Sequence, residues 1–322
     1  MKLHENKEAF TQAVLSAAEY FKIQEIFIEK DYWVTYVLKN LSKSKFKEKV
    51  VFKGGTSLSK AHRLINRFSE DIDLAIIQDK GMSGSAVKSL ITTIEKEITK
   101  DFKEVTLEGV TSKGSKFRKT VFEYPRAIEG GDFGQAKDKL LLEINSFANP
   151  HPYGEMDIQT MIADFLIQTG RKEAVGSYEL EPFSVNVLGL ERTLTEKVLA
   201  LVRASYAENP INELEARVRH LYDLHYMLSK ESIRKFISGD SFREMIKQVL
   251  ADDESNSQFQ GEWTKKPLHA SLFISDWENI WKQLIQTYNG IFKTLVFSEL
   301  PDNTAIDKSI KQIVESIVTN QV

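Results

Sequence analysis

The sequence predicts an α+β fold, with helices and a small sheet in the first half and a mostly helical second half. Three observations predict it. Apolar residues at strand spacing concentrate between residues 50 and 146, interleaved with helical stretches. After about residue 150 helical periodicity takes over almost to the end. The composition is that of an ordinary globular chain: 322 residues, 42% apolar, 28% charged and 10% aromatic.

The elements follow in order. Ala9–Phe21 carries Phe10, Val14, Ala17, Ala18 and Phe21 at helical spacing, and Ile28–Leu41 repeats the pattern with Trp33, Val37 and Leu41. A short strand, Val50–Phe52, runs into Gly54-Gly55, and Thr56–Leu64 reads as a helix opened by those glycines. Ile72–Ile77 is a strand, Gly81–Ser85 a small-residue loop, and Ser85–Lys100 an amphipathic helix. Phe102–Leu107, Lys119–Tyr124 and Leu140–Ser146 are strand candidates, and a turn-rich break over Glu129–Gly134 separates the last two. A helix over Met156–Thr169 and a strand over Phe183–Val187 come next. Leu190–Ala207, Glu213–Lys230, Ser232–Phe236, Phe242–Ala251, Trp277–Leu295 and Ala305–Val318 complete the chain as helices, interrupted by the polar stretch Asp252–Pro267. The length suits about two domains. The change of pattern places them at residues 1–155 and 156–322.

Composition also excludes. No apolar run is long enough to span a bilayer. The N-terminal MKLHENKEAF has no apolar region of signal-peptide type. The absence of cysteine rules out disulfides and thiolate metal sites and suits a reducing cytoplasm. The net charge of −3 does not advertise a nucleic-acid partner. Basic residues gather at Lys113–Lys119 and Arg217–Arg219, and an ordinary solvated face accounts for each.

The chemistry concentrates in residues 51–76. A strand ending in Gly54-Gly55 lets backbone approach a ligand closely. The helix behind it offers unpaired N–H groups and partial positive charge to a phosphate. Thr56 and Ser57 add hydroxyls, and Ser59, Lys60 and Arg63 border that pocket on the following helix. A plain turn and a solvated helix face, which would also hold Lys53 and Arg67, are the alternatives. Asp71 and Asp73 sit two apart in a strand and so face the same side, while Ile72, Leu74 and Ile76 face the core. Adjacent carboxylates repel, and a cation between them relieves the cost; a solvated strand end is the alternative. Ser69 suits a hydrogen bond in the turn leading to this strand. Glu143 is a lone acid inside Leu140–Ile144, sharing a face with Leu141 and Asn145. It either joins Asp71 and Asp73 around two metal ions or is a sheet-edge acid paired with Lys137 or Lys139. His62, His220 and His225 form no recognisable metal set.

These residues resemble the polymerase-β-like nucleotidyltransferase superfamily. More narrowly, FKGGTSLSK joined to RFSEDIDL resembles the AbiEii/AbiGii family of nucleotidyltransferase toxins, the toxin halves of bacterial type IV toxin–antitoxin and phage abortive-infection systems. Glu29–Trp33 (EKDYW), Leu194–Leu201 (LTEKVLAL) and Arg219–Leu224 (RHLYDL) resemble further motifs of that family. The resemblance implies a polymerase-β-like core with a small mixed sheet, and a helical C-terminal domain that contributes to the nucleotide and acceptor site. It implies Asp71, Asp73, Lys197 and Asp223 as catalytic residues. Gly54, Gly55, Thr56, Ser57, Lys60 and Lys197 would bind nucleotide, and Asp71, Asp73 and Glu143 would hold Mg2+ or Mn2+. It further implies a nucleoside triphosphate substrate, a tRNA 3′ end as acceptor, a cognate antitoxin encoded nearby, and no membrane.

Physical reasoning reads Lys197 as an inward lysine in need of an anion, which the family suggests is the triphosphate. Asp223, four residues after Arg219, suits a simple helix salt bridge equally well. Two other functions remain open: the same chemistry on a protein or small-molecule acceptor, and a non-catalytic nucleotide-binding regulator. The intact Gly54, Gly55, Asp71 and Asp73 argue against the second.

Overall fold

The structure, a computed structural model, describes residues 1–69, 71–79, 81–129, 138–256 and 258–319. Residues 130–134 of the expected turn-rich break, and Lys137, lie outside these. The chain divides into two compact units, Met1–Arg63 with Phe68–Val187, and Leu64–Arg67 with Leu188–Val322.

The first unit opens with α1 (Lys7–Phe21), whose first turn is capped by Asn6: its Oδ1 accepts from the Ala9 N–H at 3.0 Å. In α2 (Glu25–Lys43) burial runs all round, with Ile28, Tyr32 and Leu38 fully covered, so this helix belongs to the interior. Then come β1 (Val50–Lys53), α3 (Gly54–Lys60), β2 (Asp71–Ile76) and α4 (Gly84–Ile98), which Ser83 caps. Strands β3 (Lys103–Val105), β4 (Ser112–Lys113), β5 (Phe117–Glu123), β6 (Leu140–Asn145) and β7 (Tyr153–Ile158) follow. Helices α5 (Met161–Gln168) and α6 (Lys172–Ser177) and strand β8 (Phe183–Leu188) complete the unit.

The strands form one mixed sheet in the order β3-β5-β6-β2-β1-β8-β7, with β4 paired to β5. Pairs β2–β6 and β1–β8 are parallel; β1–β2, β5–β6, β3–β5 and β4–β5 are antiparallel. This is the mixed sheet expected. Period-two alternation sorts its faces: Ile72, Leu74, Leu142 and Ile144 are buried, and α2 and α4 pack on β6. Asp71, Asp73 and Glu143 take the other side.

The structure departs from expectation locally. Helix α3 stops at Lys60, four residues short of Leu64, and Arg63 adopts a left-handed φ of 49°. Residues 153–158 form a strand where a helix was expected to begin. β7 lies at the sheet edge, where polar Glu155 and Asp157 cost nothing, and the helix waits for its cap at Thr160, which accepts from the Ala163 N–H at 2.9 Å.

The second unit is helical: α7 (Leu190–Ser205), α8 (Pro210–Glu215), α9 (Val218–Met227), α10 (Glu231–Ile237), α11 (Asp240–Ser255), α12 (Leu272–Ser275), α13 (Trp277–Asn289) and α14 (Asn303–Thr319). The helix expected over Glu213–Lys230 is broken at Ala216-Arg217. The helix expected to run to Leu295 ends at Gly290, where an added Cβ would come within 2.8 Å of the Gln286 carbonyl oxygen. The short segment Leu64–Arg67 is tied in by the Phe297 N–H, which donates to the Asn66 carbonyl at 2.8 Å, and by a bridge between Arg67 and Val296.

Candidate active site

Strand register assembles the first group of charges. Asp73 on β2 is opposite Glu143 on β6 and opposite Lys53 on β1; Glu143 is in turn opposite Lys119 on β5. Register partners share a sheet face. Lys53, Asp73, Glu143 and Lys119 therefore form a row across four adjacent strands, in the charge order plus, minus, minus, plus, and all four are half-buried. Asp71 projects from the same face two residues earlier on β2. β6 is an interior strand, so Glu143 is not a sheet-edge acid, and its partner is Lys119 rather than Lys139. The Lys119 Nζ stands 2.7 Å from the Glu143 Oε1. Burial works against the Lys119 charge. The bond to Glu143 and the negative charges of Glu143, Asp71 and Asp73 outweigh it and raise the lysine pKa.

Gly54 explains how Asp73 is placed. Its φ is +81°, and a Cβ built on it would lie 2.0 Å from the Asp73 Oδ2. Any side chain would be strained by the backbone and would collide with the carboxylate. The close approach expected at this glycine is thus, in this structure, an approach to Asp73. Thr56 and Ser57, read from the sequence as phosphate donors, are buried. The Thr56 hydroxyl lies 2.7 Å from the Asp71 carbonyl oxygen and 3.1 Å from the Ser69 Oγ, and Ser57 donates to the Gly54 carbonyl at 2.9 Å. The Thr56 hydroxyl ties α3 to β2, and the Ser57 hydroxyl bonds within the first turn of α3. Lys60 is ion-paired with Asp31 on α2, whose second oxygen accepts from the Met161 N–H at 2.8 Å. Gly55 lies in the first turn of α3.

A hard divalent cation prefers oxygen ligands. Asp71 and Asp73, side by side with Asp73 pressed against bare backbone, fit one. Glu143 is next in the row but engaged by Lys119. Among the described residues, no group of three or more His, Cys, Asp or Glu side chains already stands ready to hold a metal.

A second group lies in the helical unit. Asp223 on α9 is fully buried and accepts from the Arg67 Nε at 2.7 Å, from the Arg67 Nη2 at 2.8 Å, and from the Lys197 Nζ on α7 at 2.8 Å. Arg219 is exposed and does not supply this contact. Burial alone would raise the Asp223 pKa, but Arg67 and Lys197 hold it well below the usual carboxylate range. Burial pushes the Lys197 pKa down against the pull of Asp223. His220, beside them, is likewise pushed far down by burial and by Lys197 and Arg219, so it is neutral, and its Nδ1 has no hydrogen-bond partner.

Residues 36–303 match the family of nucleotidyl transferase AbiEii toxins of type IV toxin–antitoxin systems. The chain belongs to this family. A structural match is MenT4, a nucleotidyltransferase toxin from Mycobacterium tuberculosis H37Rv, at a TM-score of 0.56 and 15% identity, covering 95% of this chain and 89% of that one. At that identity the likeness shows the fold alone. No curated protein gives a significant sequence match. Membership makes the AbiEii-family chain a nucleotidyltransferase toxin with a nucleoside triphosphate substrate and a partner antitoxin, in a family that generally uses divalent metals.

Three residues of this AbiEii-family chain were under-read from sequence. Lys119 sat in a basic cluster assigned to solvent, Arg67 on a supposed helix face, and Asp31 inside a motif with no assigned partner. Strand parity puts Lys119 and Val121 on one face of β5, but no local signal says that the face is shared with Glu143. Nothing local marks Arg67, which is 2% exposed.

Proposed function

We propose that this toxin transfers a nucleoside monophosphate from a nucleoside triphosphate to the 3′ end of tRNA and releases pyrophosphate. Asp71 and Asp73 would hold Mg2+ (Mn2+ substituting), with Glu143 as the third carboxylate. The placement of Asp73 against Gly54, on the same face as Asp71, carries the reading. It sets the Asp73 carboxylate against bare backbone, beside Asp71, at a strand–helix junction. The bound metal would neutralise the triphosphate and make the acceptor hydroxyl a better nucleophile. The chain itself fixes the carboxylates, through Gly54 beneath Asp73 and Thr56 on the Asp71 carbonyl, and so contributes by positioning. Gly54 and Gly55, which begin α3, would meet the nucleotide phosphates through backbone N–H groups. Thr56, Ser57 and Lys60 act as supports of α3, through the bonds described above.

Lys197 and Asp223, which the family resemblance assigns to catalysis, are retained as candidates. An ammonium has three N–H donors and Asp223 accepts from one of them. Toxin action in the cytoplasm, with growth arrest or aborted phage infection as the outcome, suits a chain without cysteine. Among the described residues no helix is long and apolar enough to cross a membrane.

The test is incubation with each labelled nucleoside triphosphate, Mg2+ and total tRNA. Label at tRNA 3′ ends that is lost in D71A and D73A is expected. Label on protein or a small molecule would replace the acceptor, and no transfer to any acceptor would overturn the enzymatic reading. Growth inhibition by D73A would refute its metal role.

A further inference from the structure

The contact between Lys119 and Glu143 bears on how the carboxylate row accepts a cation. Glu143 is the acid that register places beside Asp73, and it sits on an interior strand. Its near oxygen is 2.7 Å from the Lys119 Nζ, and the two side chains are only 22% and 29% exposed. A cross-strand pair on a sheet interior holds its geometry better than a surface pair between flexible chains. An ammonium and a divalent cation compete for the same carboxylate oxygens. An ammonium carries half the charge but costs nothing to recruit, because β5 already holds it in place. At the other end of the row Asp73 is opposite Lys53 of β1. Asp71 is opposite Leu141, an apolar residue, on β6.

We propose that Lys119 is a built-in counter-cation that occupies Glu143 in the substrate-free protein, so that Glu143 becomes a metal ligand only when Lys119 is drawn away. The anion able to draw it is the phosphate chain of the nucleotide. An ammonium on a flexible stem can move to a phosphate without any change in the sheet. The third ligand is then delivered with substrate, and the protein without nucleotide holds a cation through Asp71 and Asp73 alone. This inference rests on the proposed metal role of those two residues.

The experiment is a Mn2+ titration of the nucleotide-free, full-length protein, read by the loss of free-ion electron paramagnetic resonance signal. Wild type, K119M, E143Q and the double variant form a double-mutant cycle. K119M should bind Mn2+ about tenfold more tightly than wild type, the size expected of direct coupling between contacting groups. E143Q should change affinity little in the wild-type background and remove the whole gain in the K119M background. K119R, which keeps the ion pair, should bind as wild type does. Equal effects of E143Q in both backgrounds would mean that Lys119 acts only through its field and would overturn the proposal. So would a K119M protein that binds no tighter than wild type. Absence of Mn2+ binding in wild type, matched by D71A and D73A, would instead refute the metal reading beneath it. Far-ultraviolet circular dichroism and thermal melting of all variants identify a misfolded one. In that case K119Q, which loses the charge and stays polar, replaces K119M and must show the same gain.

Discussion

Two acid–cation groups in this molecule obey opposite physics. On the sheet of the first unit, Glu143 and Lys119 are half-buried and pair one to one. In the helical unit, Asp223 is fully buried and shared by Arg67 and Lys197. The first pair is stabilised modestly, and water or a competing ion can replace either partner. The second is out of reach of water, and removing one member leaves charge stranded in a low-dielectric interior. The exchangeable group suits ligand exchange. The locked group suits rigidity.

The sharpest way to break the comparison is D223A. It leaves Arg67 and Lys197 without their shared anion and should cost roughly 3–5 kcal/mol by urea unfolding, whereas E143A should cost under about 1 kcal/mol. Similar losses would remove the distinction. pH sharpens the same point. The Asp223 pKa is depressed in the fold, so its stabilisation is complete above the ordinary carboxylate range and disappears only as pH falls through the native value. The stability gap between wild type and D223N should accordingly narrow on acidification.

Next in size is G54A. The left-handed backbone alone should cost about 1–2 kcal/mol, and displacement of the Asp73 carboxylate should lower nucleotide transfer about 100-fold or more. Normal turnover by G54A would show that the collision is relieved without moving Asp73. T56V removes the hydroxyl on the Asp71 carbonyl and should destabilise by about 1 kcal/mol, with a smaller loss of turnover than G54A.

The smallest effect belongs to Glu29 on α2. One of its oxygens accepts from the Ala127 N–H and the other has no partner. Burial raises its pKa against those loop amides. A raised carboxylate pKa means that the fold is best served at low pH and loses stability as pH rises through the native value. E29Q, which does not titrate, should therefore gain stability relative to wild type as pH rises from acid to neutral, measured by urea unfolding across that range. A constant offset across that range would show that Glu29 is ionised at no cost.

Much of this was legible in the chain. The glycine pair before a helix, the Asp-x-Asp strand and the period-two pattern of Leu140–Asn145 all speak through neighbours in sequence, and each element formed. The strands of the first half and the helical second half followed from periodicity; that the sheet is mixed followed from the family resemblance. What sequence reasoning missed are partnerships across distance. Lys60 with Asp31, Lys119 with Glu143 and Arg67 with Asp223 are 29, 24 and 156 residues apart. Thr56 and Ser57 read as ligand donors because a hydroxyl near a glycine loop looks alike in sequence whether it turns outward or in; in the fold both are buried and bond to backbone carbonyls. The last three residues of edge strand β7, Met156–Ile158, read as the start of a helix because an edge tolerates the polar residues that otherwise argue against a strand.

The sequence by itself determined which residues carry charge into apolar strands, and so where chemistry could lie: Asp71, Asp73 and Glu143, reached through Gly54. Backbone periodicity is local, so it survives without a fold. Only the tertiary structure decided which cation meets which acid. Register across β1, β2, β6 and β5 put Lys119 on Glu143, and helix packing put Asp223 between Arg67 and Lys197. An ion pair depends on a distance, and only the folded chain sets the distance between residues far apart in sequence.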